Sequence, residues 1–471
     1  MTTRYLTMGI QFLNSFIIAA LLGPLYLGIW GFINLILQYA AQINLGIPYS
    51  LNVMLSVNKD DDRQTRELLS GGVYFYLFIT LVFLALLSLY GFLGLDWGDK
   101  YRFSDYIIPV FLIAILSHFN TLFTNYFRIK NKLKEIMFFQ SIVPVMTLLA
   151  VFLVEEKELL IKVLVGVMLT GQLLSLVIFL LKLDVKISFR RSPLSAVMPL
   201  LLRKGLYLFI YNASFYLIII STRTVVSAFY EPMEFGYFTF AFTLANAVML
   251  LFDSFSFLIY PKILNRLSRN DQSQSLRILD MVRNGYVVAV HLIMYSFILL
   301  FPLIIYFFPA YQSQYKTFGL IVMTLVFYAN CYIYSSVLIA RSRENILGGM
   351  AFSILTINVL FALIIAAVFR WSYEYVILAT LLAYVVYNIL LTLQANRLLL
   401  LKNNWKTVMA DNFPLSLYIP FTLCFVFTVT EQPHGYFGIV LLLFVLLNIR
   451  KLKGLKDLFM KILKNPQSVN I

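Results

Sequence analysis

Several polar side chains stand inside long apolar runs of this 471-residue chain, where each is costly unless paired or put to use. Arg223 lies in Ile218-Ile219-Ile220-Ser221-Thr222-Arg223-Thr224-Val225-Val226. A guanidinium keeps its charge at any relevant pH, so it must snorkel, pair or face a wet cavity. Its planar fork suits phosphate oxygens; a helix-packing arginine is the alternative. Asp253, in Met249-Leu250-Leu251-Phe252-Asp253-Ser254-Phe255, could carry a coupling proton or help bind Na+, or equally serve as a structural partner. His291 could titrate near neutral pH, although a lone histidine among Tyr and Ile is more often a packing residue. His118, beside Asn120, is a candidate ligand contact. Mid-span amides complete the set: Gln11, Asn14, Gln38, Gln42, Asn44 and Asn125, then Asn212, Asn246, Asn330 and Asn358. No HExxH, nucleophile elbow, P-loop or carboxylate pair occurs. The three histidines sit on separate elements, and Cys331 and Cys424 lie in apolar runs, so neither a metal site nor a disulfide framework is supported. The chemistry on offer is noncovalent: anion contact, hydrogen bonding and ion coupling.

The elements that hold these groups must cross a membrane. Apolar residues make up 61% of the chain and charged ones 13%, and the mean hydropathy is +0.84. So few polar residues cannot cover a water-soluble surface, which excludes a soluble enzyme, a disordered chain and a nucleic-acid-binding domain. The expected fold is all-α and polytopic, with fourteen spans. Their cores are near 6–22, 27–56, 70–95, 105–127, 137–154, 160–181, 205–229, 235–260, 284–308, 317–340, 346–369, 375–396, 413–430 and 435–449. Spans two and eight are long enough to tilt or extend into water. Gly23-Pro24, Glu231-Pro232 and Gln432-Pro433 suit tight reversals. The first stretch lacks a small-residue cleavage pattern and reads as a retained helix.

The net charge of +15 is read as topology. With the N-terminus inside, thirty of the 37 Lys and Arg fall on inner segments, as positive-inside sorting requires. Both termini are then cytoplasmic. Outer loops are short, the longest near 96–104 and 309–316, so any site lies in the bundle or at its mouths. The expected organisation is an N-terminal lobe over 1–183, a cytoplasmic linker over 184–204, a C-terminal lobe over 205–397, extra spans over 398–449 and a basic tail over 450–471. In the tail, Lys451, Lys453, Lys456, Lys461 and Lys464 alternate with apolar residues, a pattern for an amphipathic helix on the anionic inner surface.

An internal repeat is legible. Pro24, Gly28 and Phe32 each recur 208 residues later as Pro232, Gly236 and Phe240, and Gln38 meets Asn246 at the same offset. Arg128-Ile129-Lys130 and Arg341-Ser342-Arg343 close spans four and ten at an offset of 213. The order favours two six-span repeats in the same orientation, followed by two added spans. Arg128 and Arg341 then fall at equivalent mouths, where, with Arg4, they could meet an anionic headgroup from the cytoplasmic leaflet.

Leu22-Gly23-Pro24-x-Tyr26-x-Gly28-x-Trp30, Asn44-Leu45-Gly46-Ile47-Pro48-Tyr49-Ser50-Leu51 and Pro261-Lys262-Ile263-Leu264-Asn265-Arg266-Leu267-Ser268 resemble the polysaccharide biosynthesis and export flippases. These belong to the superfamily that also holds multidrug exporters and the peptidoglycan lipid flippase. The resemblance covers essentially the whole chain. It implies two six-helix lobes around a central cleft, with spans 13 and 14 outside. It also implies alternating access that moves a polyprenyl-pyrophosphate-linked oligosaccharide from the inner to the outer leaflet of a bacterial or archaeal cytoplasmic membrane, as in O-antigen or capsule export. No enzymatic step and no cofactor is implied beyond a coupling ion, Na+ or H+. Partners would be the lipid-linked oligosaccharide, membrane lipids and a glycan polymerase or other export component, and no nucleic acid. The candidate substrate contacts are Arg223, Arg128, Arg341, Arg4, Gln38, Gln42, Asn44, His118, Asn212 and Asn246; the candidate coupling residues are Asp253 and His291. A Na+- or H+-coupled exporter of cationic drugs is the alternative, and it wants more acidic residues than Asp253 supplies.

The charge division is testable. Tags in the 57–69 and 96–104 loops should show opposite protease accessibility in intact cells, and matching accessibility would refute the topology.

Overall fold

The computed structural model describes the backbone of residues 2–57, 61–93, 98–187, 191–267, 272–401 and 403–464. Within these, the side chains of 2–5, 8, 191–196, 204, 208, 250–265, 272, 274, 277 and 456–464 are outside the described set, and Arg4 and Asp253 fall among them. Hydrocarbon offers a backbone no partner but itself, and the chain answers with helices. In order they are α1 (Thr2–Ala41), α2 (Ile47–Val57), α3 (Asp62–Leu93), α4 (Ile107–Ile129), α5 (Leu133–Leu153), α6 (Lys157–Leu181), α7 (Arg191–Phe229) and α8 (Pro232–Leu267). There follow α9 (Gln272–Val282), α10 (Val288–Tyr306), α11 (Tyr315–Ala340), α12 (Glu344–Leu363), α13 (Ile377–Leu398), α14 (Trp405–Asn412), α15 (Leu415–Val429) and α16 (Gly435–Lys464). Large apolar side chains such as Leu81, Phe92, Leu149 and Phe152 stay exposed, as lipid-facing positions do.

Among the described residues eleven helices are long and apolar enough to cross a membrane, and α14 with α15, bent by 64°, make a twelfth if taken together. This is fewer than the fourteen expected. Part of the difference is that α1 counts once, although Gly23 breaks it with φ 68° and ψ 176°, at the expected Gly23-Pro24 reversal. The expected continuous span over 27–56 is corrected. The helix stops at Ala41 and resumes at Ile47, because Leu45 and Gly46 take φ 45° and 80°. Asn44 fastens this turn, donating to the Ala41 carbonyl at 2.8 Å and accepting from the Gly46 N–H at 3.0 Å. α7 begins at Arg191, inside the stretch expected as a linker, and α16 runs through the expected amphipathic tail with a break at Asn448.

Two compact units emerge, one of Met1–Ala213 with Glu231–Gly236, the other of Ser214–Tyr230 with Tyr237–Ile471. Each repeats one packing plan. In the first, α6 packs on α4 and α5, and α3 packs on α4. In the second, α13 packs on α11 and α12, and α10 packs on α11, while α15 and α16 add to α10 and α11. Helix ends repeat as well, but not in the expected register. After α4, Asn131 takes φ 55° and the Lys132 N–H reaches the Phe127 carbonyl at 2.8 Å. After α11, Ser342 takes φ 53° and the Arg343 N–H reaches the Leu338 carbonyl at 2.9 Å. These matching C-caps pair Lys130 with Arg341, so the expected equivalence of Arg128 and Arg341 is corrected by two residues.

The first unit is held by two crossings of backbone on backbone. A Cβ on Gly28 would lie 1.9 Å from the Pro232 carbonyl oxygen, and one on Gly236 would lie 1.7 Å from that of Pro24. Each glycine thus packs on the carbonyl four residues before the other, a reciprocal contact at the starts of two helical segments. A second reciprocal pair joins Gly46 to Gly205, whose added Cβ atoms would meet each other's carbonyls at 2.5 and 2.4 Å. Ser50 bridges it by donating to the Leu201 carbonyl at 2.6 Å. Small residues allow such approach where lipid supplies no hydrophobic drive. Aromatic rings close over the first crossing: Tyr101 stacks on Phe32 at 4.3 Å and meets Phe235 at 5.7 Å.

Overpacking of this kind costs about 1–3 kcal/mol or more. Gly28→Ala should therefore lower the melting temperature of the detergent-purified protein clearly. Gly166→Ala, where an added Cβ meets nothing within 4 Å, should leave it unchanged or raise it. Equal effects would disprove the crossing.

Candidate functional site

One face of the first half of α1 carries Thr7, Gln11, Asn14 and Ser15, spaced as helical neighbours. With Trp30 and Asn34 from beyond the Gly23 break, and with residues of α5 and α6, they wall a cavity of about 530 Å³. α5 contributes Gln140, Pro144 and Thr147, and α6 contributes Gln172. Every polar side chain in this wall is neutral. Pro144 has no N–H, which leaves the Gln140 carbonyl without its helical donor. The wall is rigidly wired. Asn14 donates to the Pro144 carbonyl at 2.7 Å, Asn34 donates to the Trp30 carbonyl at 2.8 Å, and Asn120 donates to the Gln172 side-chain oxygen at 2.7 Å.

At the end of α4 the charges divide into two kinds. Lys130 pairs with Asp62 at 3.3 Å and Lys132 with Asp184 at 3.1 Å. Burial alone would raise the Asp184 carboxyl, but the Tyr126 hydroxyl and the Lys132 ammonium outweigh it and hold it below the usual carboxylate value. Arg128 is different. It donates to the side-chain oxygens of Asn52 at 2.6 Å and Asn125 at 2.7 Å, both neutral. Its guanidinium is oriented without being neutralised, and it is exposed.

In the second unit the observation that matters most is Arg223, 3% exposed, its guanidinium 4.9 Å from the centre of the Phe242 ring. A desolvated cation–π contact of this sort is worth about 2 kcal/mol. Among the described residues it is the one buried charged side chain, and no Asp or Glu is buried. Its chain neighbours fasten α7 to α12 and α13. Asn358 donates to Ser221 at 2.8 Å and to the Ile218 carbonyl at 2.7 Å, Thr380 donates to Asn358 at 3.1 Å, and Thr222 bonds Thr380.

The other candidates are dispersed. His118 is buried against Tyr76, ring centres 5.2 Å apart. His291 is fully buried, its Nδ1 2.8 Å from the Val287 carbonyl, among Tyr295, Tyr418, Phe421 and Phe444. Gln38, Gln42 and Asn212 are half-buried and Asn246 is exposed. Arg341 is half-buried, and its Nε has no partner. Asn44 is engaged in its own turn. Among the described residues no cluster of His, Cys, Asp and Glu could hold a metal. Sequence reading found Gln11 and Asn14 but missed Trp30, Asn34, Gln140, Thr147 and Gln172. The signal was present in Gln140, Pro144 and Thr147, which fall on one helical face of an otherwise apolar span.

Comparison of the sequence with protein-family profiles and with curated proteins gives no match. Comparison of the structure does. The chain is similar to the lipid II flippase MurJ in an inward closed conformation, with TM-score 0.69 and 16% identity over 98% of this chain and 99% of that one. It is also similar to an inward-facing multidrug resistance MATE family transporter of the MOP superfamily, with TM-score 0.64 and 14% identity over 82% of this chain and 93% of that one. An outward-facing structure of a MATE family transporter matches with TM-score 0.54 and 15% identity over 83% of this chain and 92% of that one. The chain shares the fold of these three structures. That fold is all-α and polytopic.

Proposed function

We propose that the protein is a flippase that carries a polyprenyl-pyrophosphate-linked oligosaccharide from the cytoplasmic to the outer leaflet of the cytoplasmic membrane by alternating access. The observation that carries this reading is the sign of the interior charge: Arg223 is buried, and no described carboxylate is. A pyrophosphate cannot cross hydrocarbon cheaply, and a guanidinium is the side chain whose fork best fits its oxygens. An exporter of cationic drugs would need the opposite sign. The end-to-end likeness to a lipid flippase, against partial coverage by the multidrug transporters, supports the same choice.

Substrate enters from the inner leaflet and its phosphates meet Arg128, which is held by neutral amides, with Arg341 and Arg4 as further contacts. The prenyl tail stays in lipid while the polar head crosses. Coupling to Na+ or H+ falls to Asp253 and His291. Fourteen crossings follow if the break at Gly23 divides α1, α8 spans, and the bent pair of α14 and α15 is one span. The lobes are then 1–183 and 205–397, with 398–449 added.

In sealed vesicles holding the purified protein, a fluorescent lipid-linked oligosaccharide should cross and a cationic dye should not. Loss of a hydrogen bond to a charged group costs about 1.5–3 kcal/mol, so Arg223→Gln should slow flipping roughly 10- to 100-fold at equal protein. Arg223→Lys should retain part of the rate. Transport of the dye alone would overturn the proposal in favour of a drug exporter.

A further inference from the structure

We infer that α14 is a membrane-interface helix whose outer face, with the cations beside it, binds anionic phospholipid headgroups. The inference does not depend on what the protein carries, and it begins with a helix that faces the wrong way for water. α14 turns its carboxylate and its amide toward the bundle. Asp411 is held through both oxygens by Arg283, at 3.0 Å each, and Arg283 also donates from Nε to the Tyr334 hydroxyl of α11 at 3.0 Å. Asn412 donates to the Thr392 hydroxyl of α13 at 2.9 Å. Outward, α14 shows Trp405, 62% exposed, with Lys406 and Ala410. Leu400 before the helix and Leu415 after it are 85% and 74% exposed. A surface helix in water turns apolar groups in and polar ones out, so the medium outside α14 is lipid.

Length sets its depth. α15 has 15 residues, a rise of about 22 Å against about 30 Å of hydrocarbon. α14 leaves the axis of α15 by 64°, so it covers the remaining depth obliquely and lies where acyl chains meet headgroups. Tryptophan favours that layer.

The charges at this end of the second unit have one sign. Arg397 at the end of α13, Lys406 in α14, and Arg450 and Lys453 beyond the Asn448 break in α16 are exposed. Asn448 donates to the Ser416 carbonyl at 2.7 Å, which brings that part of α16 to the start of α15, beside α14. Among the described residues of 397–416 and 448–455 the acid is Asp411, and Arg283 already holds it. A zwitterionic headgroup brings an ammonium that this surface repels. An anionic headgroup brings a phosphate without one, and each Lys or Arg near the surface draws it.

The test places the full-length protein in phosphatidylcholine vesicles containing a minor fraction of brominated lipid, phosphatidylglycerol in one set and phosphatidylcholine in the other. Bromine on an acyl chain quenches a tryptophan that touches it, and the signal of Trp405 is the difference between wild type and Trp405→Phe. Both lipids should quench it, and phosphatidylglycerol should do so at a mole fraction roughly two- to fivefold lower. High salt should shrink that preference. Replacing Arg397, Lys406, Arg450 and Lys453 together by Gln should bring the two lipids to equality and leave quenching by phosphatidylcholine unchanged. Lys406→Gln alone, at an exposed position, should lower the preference and serves if the combined variant fails to fold. An unquenched Trp405 would overturn the interfacial placement. Equal quenching of the wild type by the two lipids, or a preference that survives the loss of the cations, would overturn the anionic site.

Discussion

Backbone meets backbone at Gly28 and Gly236, and that contact fixes how closely the second part of α1 approaches the start of α8. Each glycine seats on a carbonyl of the opposing helix start, and each start opens with a proline whose missing N–H leaves no donor to satisfy. In lipid the approach of two helices is limited by side-chain bulk rather than driven by burial, so two missing Cβ atoms set the distance. The aromatic cover of Phe32, Tyr101 and Phe235 follows from it, and so does the course of the half of α1 that brings Trp30 and Asn34 to the cavity. The Gly46–Gly205 pair does the same for the turn before α2.

Around this frame polar groups are distributed by sign. Neutral amides and hydroxyls wall the cavity of the first unit. Cations at the end of α4 are either cancelled by aspartates, as at Lys130 and Lys132, or held by amides and left charged, as at Arg128. The one buried charge of the second unit's described residues is positive. Neutral hydrogen-bonding groups and fixed positive charge thus lie on different elements.

Much of this was legible in the sequence. Composition fixed the membrane class, Gly23-Pro24 marked the break in α1, and the 208-residue offset named the two glycines that touch. Arg223 stood out as a lone charge in an aliphatic run. What the sequence hid has physical causes. Leu45, Gly46 and Ile47 score as apolar, yet two of them take positive φ and end a helix, which hydropathy cannot see. The end of α4 was misaligned with that of α11 because residue counting ignores C-cap geometry, which sets Lys130 against Arg341. The cavity was half found, because Gln11 and Asn14 share a face of α1 while Gln140, Thr147 and Gln172 join them only where α5 and α6 pack on that helix.

Whether the buried positive charge of Arg223 serves an anionic headgroup can be read from thermal stabilisation of the purified protein without any vesicle. A short-chain polyprenyl pyrophosphate should raise the melting temperature of the wild-type protein and fail to do so in Arg223→Gln, while a cationic dye should have no effect on either. Stabilisation by the dye with none from the pyrophosphate, or equal stabilisation of wild type and Arg223→Gln by the pyrophosphate, would contradict it.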